Sequence, residues 1–184
     1  NILLSVGAPT NNIQSIRDLA QNDNSFYGKV ISINKENLKN FLENKSKIEI
    51  KNFTKGHRNP QGLAKLDNKI FSAEHGPKGG DEVNFLEEGN NYGWPIASYG
   101  TKYESLAIAS YELNHLKNNF QEPLIQFTPS IAISDLANCS NQLKIYYERR
   151  GCLIGTTLRD QGLIIILLNR NFNRVIGYEK IDFG

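Results

Sequence analysis

The chain has 184 residues, 39% hydrophobic and 22% charged, with 21 Lys plus Arg against 19 Asp plus Glu and no Met. This composition excludes an intrinsically disordered or collagen-like chain, and the length suits one domain of ordinary size. The longest apolar run, Leu163 to Leu168, is far shorter than the roughly 18 residues of a membrane-spanning helix, so no membrane span is expected. The charge signs are interleaved and leave no Lys/Arg stripe for a nucleic acid.

Ile2 to Val6 reads as a strand already under way. With no Met ahead of it, a missing N-terminal part is expected, through a cleaved signal peptide, a truncation or a gene fragment. Ile13 to Gln21 leans helical, and Lys29 to Ile33 is a strand. Glu36 to Glu43 carries Leu38, Phe41 and Leu42 at helical spacing and is expected to decorate a connection rather than build a core. Strands follow at Lys69 to Ala73 and Val83 to Leu86. A last group at Lys144 to Tyr147, Cys152 to Thr157, Gly162 to Asn169 and Arg174 to Ile181 reads as an antiparallel meander. The 23 asparagines add turn chemistry between the strands. The fold class is therefore all-β. Four strands per roughly 40 to 50 residues suits propeller blades, and a β-sandwich fits the same pattern.

Cys139 and Cys152 are too few for a disulfide scaffold and lack metal-ligand spacing. They are either small buried residues or, if neighbouring strands carry them, one disulfide of an oxidising compartment.

The most specific stretch is GHRNPQGLAKLDNKIFSAEHGPKGGDEVNFLEEGNNYGWPIASYGTKY, residues 56–103. Arg58, Asn59 and Gln61 set a guanidinium and two amides within four positions around Pro60. Such a group suits a planar ligand bearing carboxylates and carbonyls, or else it is a polar turn entering a strand. Glu74-His75-Gly76-Pro77 and Gly79-Gly80-Asp81-Glu82 bring glycines, backbone carbonyls and carboxylates together, the oxygen donors calcium prefers. The alternative is a flexible hairpin whose acids face water. Gly79 to Glu82 also spells the GGDE core of diguanylate cyclases, but Val83 stands where Phe is required and no mixed α/β pattern surrounds it. Trp94, the only Trp, sits between Gly93 and Pro95, as corner-packing aromatics do.

In order and spacing this block closely resembles the soluble quinoprotein sugar dehydrogenases, the family of glucose, aldose sugar and sorbosone dehydrogenases. The shared pattern is a GHRNPQGL loop, a strand, an E-x-GP-x-GGDE-x-N loop and NYGWP. Tyr27 to Asn34 resembles the family's GK strand, with Ser32 where Arg is usual. Pro129 to Ser134 and Thr157-Leu158-Arg159 resemble two further family segments, so the likeness covers essentially the whole chain.

The resemblance implies a six-bladed β-propeller holding pyrroloquinoline quinone (PQQ) through calcium and oxidising the C1 hydroxyl of aldoses to lactones by hydride transfer. It assigns cofactor contacts to Arg58, Asn59, Gln61 and Arg159, the last where the family has Lys. It assigns calcium to the backbone carbonyls of Gly76 and Pro77, and a second, structural calcium to Glu82 and the Tyr92 carbonyl, with Lys102 near where a relative supplies a carboxylate. The family's general-base His would precede Asn1, so no catalytic residue is assigned. His57 and His75 belong to the two loops, and His115 is expected at the surface. Six blades of about 45 residues need roughly 270. The chain is therefore expected to be a single partial propeller domain of about three to four blades, lacking N-terminal blades and a final strand. Little or no turnover is expected of it alone. A periplasmic or secreted location, a sugar as the small-molecule partner and self-association through open edges complete the expectations. The alternative is a non-catalytic propeller binding module like the hedgehog-interacting relatives, motivated by Ser32 and Arg159.

Overall fold

The computed structural model describes residues 1–9, 14–102, 111–139, 143 and 151–184. Short β-branched and aromatic runs separated by Asn-, Gly- and Pro-containing turns give eleven described strands in three antiparallel sheets. The first sheet comprises β1 (Ile2–Val6), β2 (Lys29–Ile33) and β3 (Ile50–Lys55). The second comprises β4 (Pro60–Leu66), β5 (Lys69–Glu74), β6 (Asp81–Leu86) and β7 (Ile125–Phe127). The third comprises β8 (Ile133–Asn138), β9 (Gly151–Thr157), β10 (Gly162–Leu168) and β11 (Val175–Asp182). Each strand pairs with its sequence neighbour, and the sheets sit side by side as blades of a partial β-propeller.

Helices are peripheral. A turn of α-helix, α1 (Gln14–Arg17), runs into a 3-10 turn at Asp18–Ala20. In α2 (Lys35–Asn44) the side chain of Asn34 caps the first turn by accepting from the backbone N–H groups of Glu36 and Asn37, and no residue of the helix is buried. It decorates a connection, as its sparse apolar spacing predicts.

The main core lies between the second and third sheets. On β4 the burial alternates, with Pro60, Gly62, Ala64 and Leu66 inward. β10 is covered on both faces. Ile164, Ile166 and Leu168 enter the main core, whereas Ile165 packs with Cys139 and Cys152 on the other side, which is why Leu163 to Leu168 reads as a continuous apolar run. Those cysteines form a disulfide with Cα atoms 5.2 Å apart, tying the end of β8 to β9, and the Cys139 N–H donates to the Cys152 carbonyl at 2.9 Å. The disulfide is thus the alternative that holds. Where β4 crosses β8, the backbone of Asp135 and Leu136 lies so close to Gly62 that a β-carbon there would stand 2.7 Å from the Asp135 carbonyl carbon.

Four strands lie where the sequence pattern shows none: β3, β4, β7 and β8. β3 reads Ile-Lys-Asn-Phe-Thr-Lys, and β4 opens on a proline, tolerated because it is the first residue of its strand. β7 has only three residues and β8 interrupts its apolar positions with Ser, Asp and Asn. Lys144 to Tyr147 lies outside the described residues. Among the described residues the fourth member of the C-terminal meander is β8.

Antiparallel succession brings the ends of β1, β3, β5, β7 and β9 and the starts of β2, β4, β6, β8 and β10 to one rim of the arc. All the residues singled out as cofactor or calcium contacts lie on or just beyond that rim.

Candidate cofactor face

The Arg58 loop is built on a buried carboxylate. Glu74, at the end of β5, accepts the Arg58 backbone N–H through Oε2 at 2.8 Å. Its Oε1 lies 2.9 Å from His57 Nδ1 and accepts the Asn84 amide at 3.0 Å. A carboxylate acceptor places the ring proton of His57 on Nδ1, leaving Nε2 to accept from the Thr54 hydroxyl at 2.9 Å. The His57 ring is wholly buried and stacks on Tyr92, centroids 4.7 Å apart. A second prop is Lys29, whose buried ammonium donates to the carbonyls of Leu19, Ala20 and Tyr27 at 2.9 to 3.0 Å. Burial brings that ammonium down to about 8. The Ala20 carbonyl also accepts from Gly56, at the root of the loop.

These supports aim the side chains at the rim. The Arg58 guanidinium lies over the Trp94 ring at 5.5 Å and donates to the His75 carbonyl at 3.1 Å, while its buried Nε has no hydrogen-bond partner. Trp94 itself packs on Tyr111, Ala8 and Ala20. Asn59 is half-buried, its carbonyl accepting from His75, and its side-chain oxygen accepts from the exposed Gln61 amide at 2.9 Å. Arg58, Asn59 and Gln61 are thus brought together at one strand end.

The turn after β5 is shaped by glycine. A β-carbon on Gly76 would overlap the carbonyl oxygens of Gly79 and Gly80, so these carbonyls and that of Pro77 crowd one small region. Asp81 closes this turn by accepting the Gly76 N–H at 3.1 Å. Neither Asp81 nor Glu82 faces water as in a flexible hairpin: both are buried. Burial first, and then the negative charge of Glu74, holds the Glu82 carboxyl well above the usual carboxylate range. Tyr92 is buried beside it, its phenol donating to the Phe85 carbonyl at 2.6 Å and raised above its ordinary range by burial. Glu82 and Tyr92 line one small cavity together with Arg58, Glu74, Gly76 and Trp94.

His115 is not at the surface. Its ring is wholly buried, stacked on Tyr99 at 5.2 Å, with Nδ1 3.7 Å from the Glu122 carboxylate, and burial lowers its pKa. The 3-10 turn His115–Asn118 directs the first residue inward while Leu116, Lys117 and Asn118 stay exposed, so an Asn-rich neighbourhood misleads about this one position.

Arg159 is exposed on the β9–β10 turn of the third sheet, away from the Arg58 loop of the second. It donates to the Ser130 carbonyl at 3.0 Å and borders an open cleft of about 310 Å³ lined also by Gln126, Tyr178 and Lys180. Lys102 lies over the Tyr111 ring at 5.5 Å. Among the described residues no group of three or more His, Cys, Asp or Glu side chains is arranged to hold a metal. A cation on this face would depend on backbone carbonyls with a single carboxylate, the donor set of a hard ion such as calcium. Sequence reasoning passes over Glu74, Asn84, Asp81 and Lys29 as structural supports. Both faces of β5 and β6 are covered, so side-chain alternation carries no signal that Glu74 and Asn84 are inside.

The rim of this partial propeller thus presents a guanidinium over an indole beside a carbonyl-rich turn. Residues 1–182 match the family model for Glucose / Sorbosone dehydrogenase, and the chain belongs to that family. It is 33% identical over 174 residues to the uncharacterized protein slr1608 of Synechocystis sp., covering 92% of this chain and 41% of that protein. Over 49 residues, 26% of this chain and 10% of the relative, it is 53% identical to quinoprotein glucose dehydrogenase B of Acinetobacter calcoaceticus. A solved glucose dehydrogenase superposes with a TM-score of 0.75 at 30% identity, covering 97% of this chain and 50% of that one. The chain therefore spans half or less of the length of these relatives. No helix among the described residues is long and apolar enough to cross a membrane.

Proposed function

We propose that this chain forms half of the cofactor face of a PQQ- and calcium-dependent dehydrogenase that oxidises the C1 hydroxyl of aldoses to lactones. The observation that carries the reading is the Arg58 loop: a buried Glu74–His57 clamp holds a guanidinium against Trp94 at the rim, beside the carbonyl-rich turn after β5. The remaining donors fit the same ligands. The quinone's carboxylates and carbonyls match a guanidinium and two amides, and the crowded carbonyls of the Gly76–Pro77 turn match calcium. Glu82 is buried beside the charge of Glu74, and a cation there would offset the repulsion between the two carboxylates.

Held by these residues, the quinone would supply hydride-accepting chemistry and calcium would supply Lewis acidity. The chain's own residues bind and orient. Arg58 supplies the forked cationic donor, Asn59 and Gln61 supply amides at the strand end, Gly76 and Pro77 offer carbonyls, and Arg159 adds a second cation from the neighbouring sheet. Glu82 and the Tyr92 carbonyl hold the second calcium. Of the described histidines, His57 has both nitrogens engaged and the His115 ring is sealed from solvent, so neither is placed as general base; His75, whose Nε2 has no hydrogen-bond partner, belongs by the resemblance to the calcium turn. The chain alone is therefore proposed to bind cofactor without turning over sugar. A periplasmic or secreted location is supported by the Cys139–Cys152 disulfide.

Calorimetric titration of the 184-residue chain with PQQ, in calcium and in chelator, tests this. Binding that requires calcium, with no dye-linked oxidation of glucose, is the expected result. A folded chain that binds no PQQ favours the non-catalytic binding module, which the departures at Ser32 and Arg159 would then explain.

A further inference from the structure

Asp81 has a role that the Arg58 loop does not share. Its carboxylate is wholly buried and accepts four hydrogen bonds from two segments about fifty residues apart. Oδ1 takes the Gly76 N–H at 3.1 Å. Oδ2 takes the Ser130 hydroxyl at 2.7 Å and the N–H groups of Ile131 and Ala132 at 3.0 and 2.7 Å. The turn at residues 129–132 therefore points its donors inward at Asp81 and its carbonyls outward. Those carbonyls are where Arg159 is held: the Ser130 carbonyl accepts the guanidinium at 3.0 Å and the Ile131 carbonyl accepts the Arg159 N–H at 3.3 Å. One carboxylate thus links the Gly76–Pro77 turn of the second sheet to the Arg159 turn of the third. Only an ionised carboxylate, acceptor on both oxygens, satisfies all four donors, whereas an amide of the same shape presents N–H groups to one set.

We propose that Asp81 is the positioning residue that fixes the spacing between the Gly76–Pro77 carbonyls and the Arg159 guanidinium, so that calcium and quinone are gripped together. The inference rests on the reading of those three residues as cofactor contacts. Two contacts reinforce each other when their separation is set before the ligand arrives; if either turn must first be ordered, that cost is subtracted from the affinity.

A double-mutant cycle on the 184-residue chain tests the linkage, with calcium-dependent PQQ affinity measured by calorimetry and folding by circular dichroism. In the parent chain Arg159→Ala is expected to weaken binding about tenfold, as befits a charged hydrogen bond. In the Asp81→Asn background the same change is expected to cost less than about twofold, because the guanidinium is no longer held in register. A purely structural Asp81 would leave the Arg159→Ala cost unchanged. Equal tenfold losses in both folded backgrounds overturn the proposal. Should Asp81→Asn fail to fold, Ser130→Ala removes one of the four donors while keeping the carboxylate and the Ser130 carbonyl. There the Arg159→Ala cost is expected to fall to about threefold, and an undiminished tenfold cost overturns the proposal. A parent chain that binds no PQQ in calcium defeats the cofactor reading itself and the positioning role with it; binding with additive losses defeats the positioning role alone.

Discussion

Glu74 accepts from His57, the Arg58 backbone and Asn84 in a buried site, so its removal strands three donors at once. Glu74→Ala is expected to cost about 3–5 kcal/mol of unfolding free energy in urea titration, and Glu74→Gln less, since one oxygen remains. Glu82 gives a prediction with a sign. Its native carboxyl titrates above the ordinary 4.5, because burial and Glu74 oppose its charge. Between 4.5 and that raised value the native state binds more protons than the unfolded chain, so stability in chelator falls as pH rises through this window. Glu82→Gln, which carries no charge, is expected to flatten that fall and to raise the thermal midpoint in chelator by at least ~2 °C near neutral pH. In saturating calcium the order is expected to reverse, because the parent gains a ligand-linked stabilisation that the variant lacks. Thermal scans by circular dichroism across about pH 5 to 8, with and without calcium, check both halves.

At the scale of elements, the disulfide closes a short loop across the β8–β9 connection, with 13 positions separating its cysteines. A loop of that size stabilises by about 3 kcal/mol through the unfolded chain. Cys152→Ser is expected to lower the unfolding free energy by about 2–4 kcal/mol, and reduction of the parent to match it. Whether two lone cysteines pair was open in the sequence because their separation along the chain says nothing about which strands carry them. The same limit applies to β3 and β8, whose Lys, Asn, Ser and Asp positions hide strands that sheet neighbours stabilise. The strands that were legible, β1, β2, β5, β6, β9, β10 and β11, each set two or more of Ile, Val, Leu and Phe side by side. The Arg58, Gly76 and Tyr92 segments were legible from their order and spacing. Asp81 as a link between sheets was not, because its partners at residues 130–132 lie about fifty positions away.

Across the whole molecule, each of the three sheets ends in two strands with one described neighbour apiece, β1 and β11 among them. Leu4, Ile176 and Tyr178 stand exposed on those strands. Open edges invite pairing, so sedimentation of the chain is expected to show concentration-dependent association that Ile176→Lys weakens; a strictly monomeric parent at about 100 μM would contradict it. The crossing of β4 and β8 adds a mechanical consequence. That joint sets the Gly62 backbone against the backbone of Asp135 and Leu136 and the Leu136 β-carbon. Gly62 is therefore one of the places that set the pitch between the second and third sheets, together with the shared core and the Asp81 link. A methyl group wedged there would push the second and third sheets apart close to the rim that carries Arg58 and Arg159, while leaving the contacts within each sheet intact.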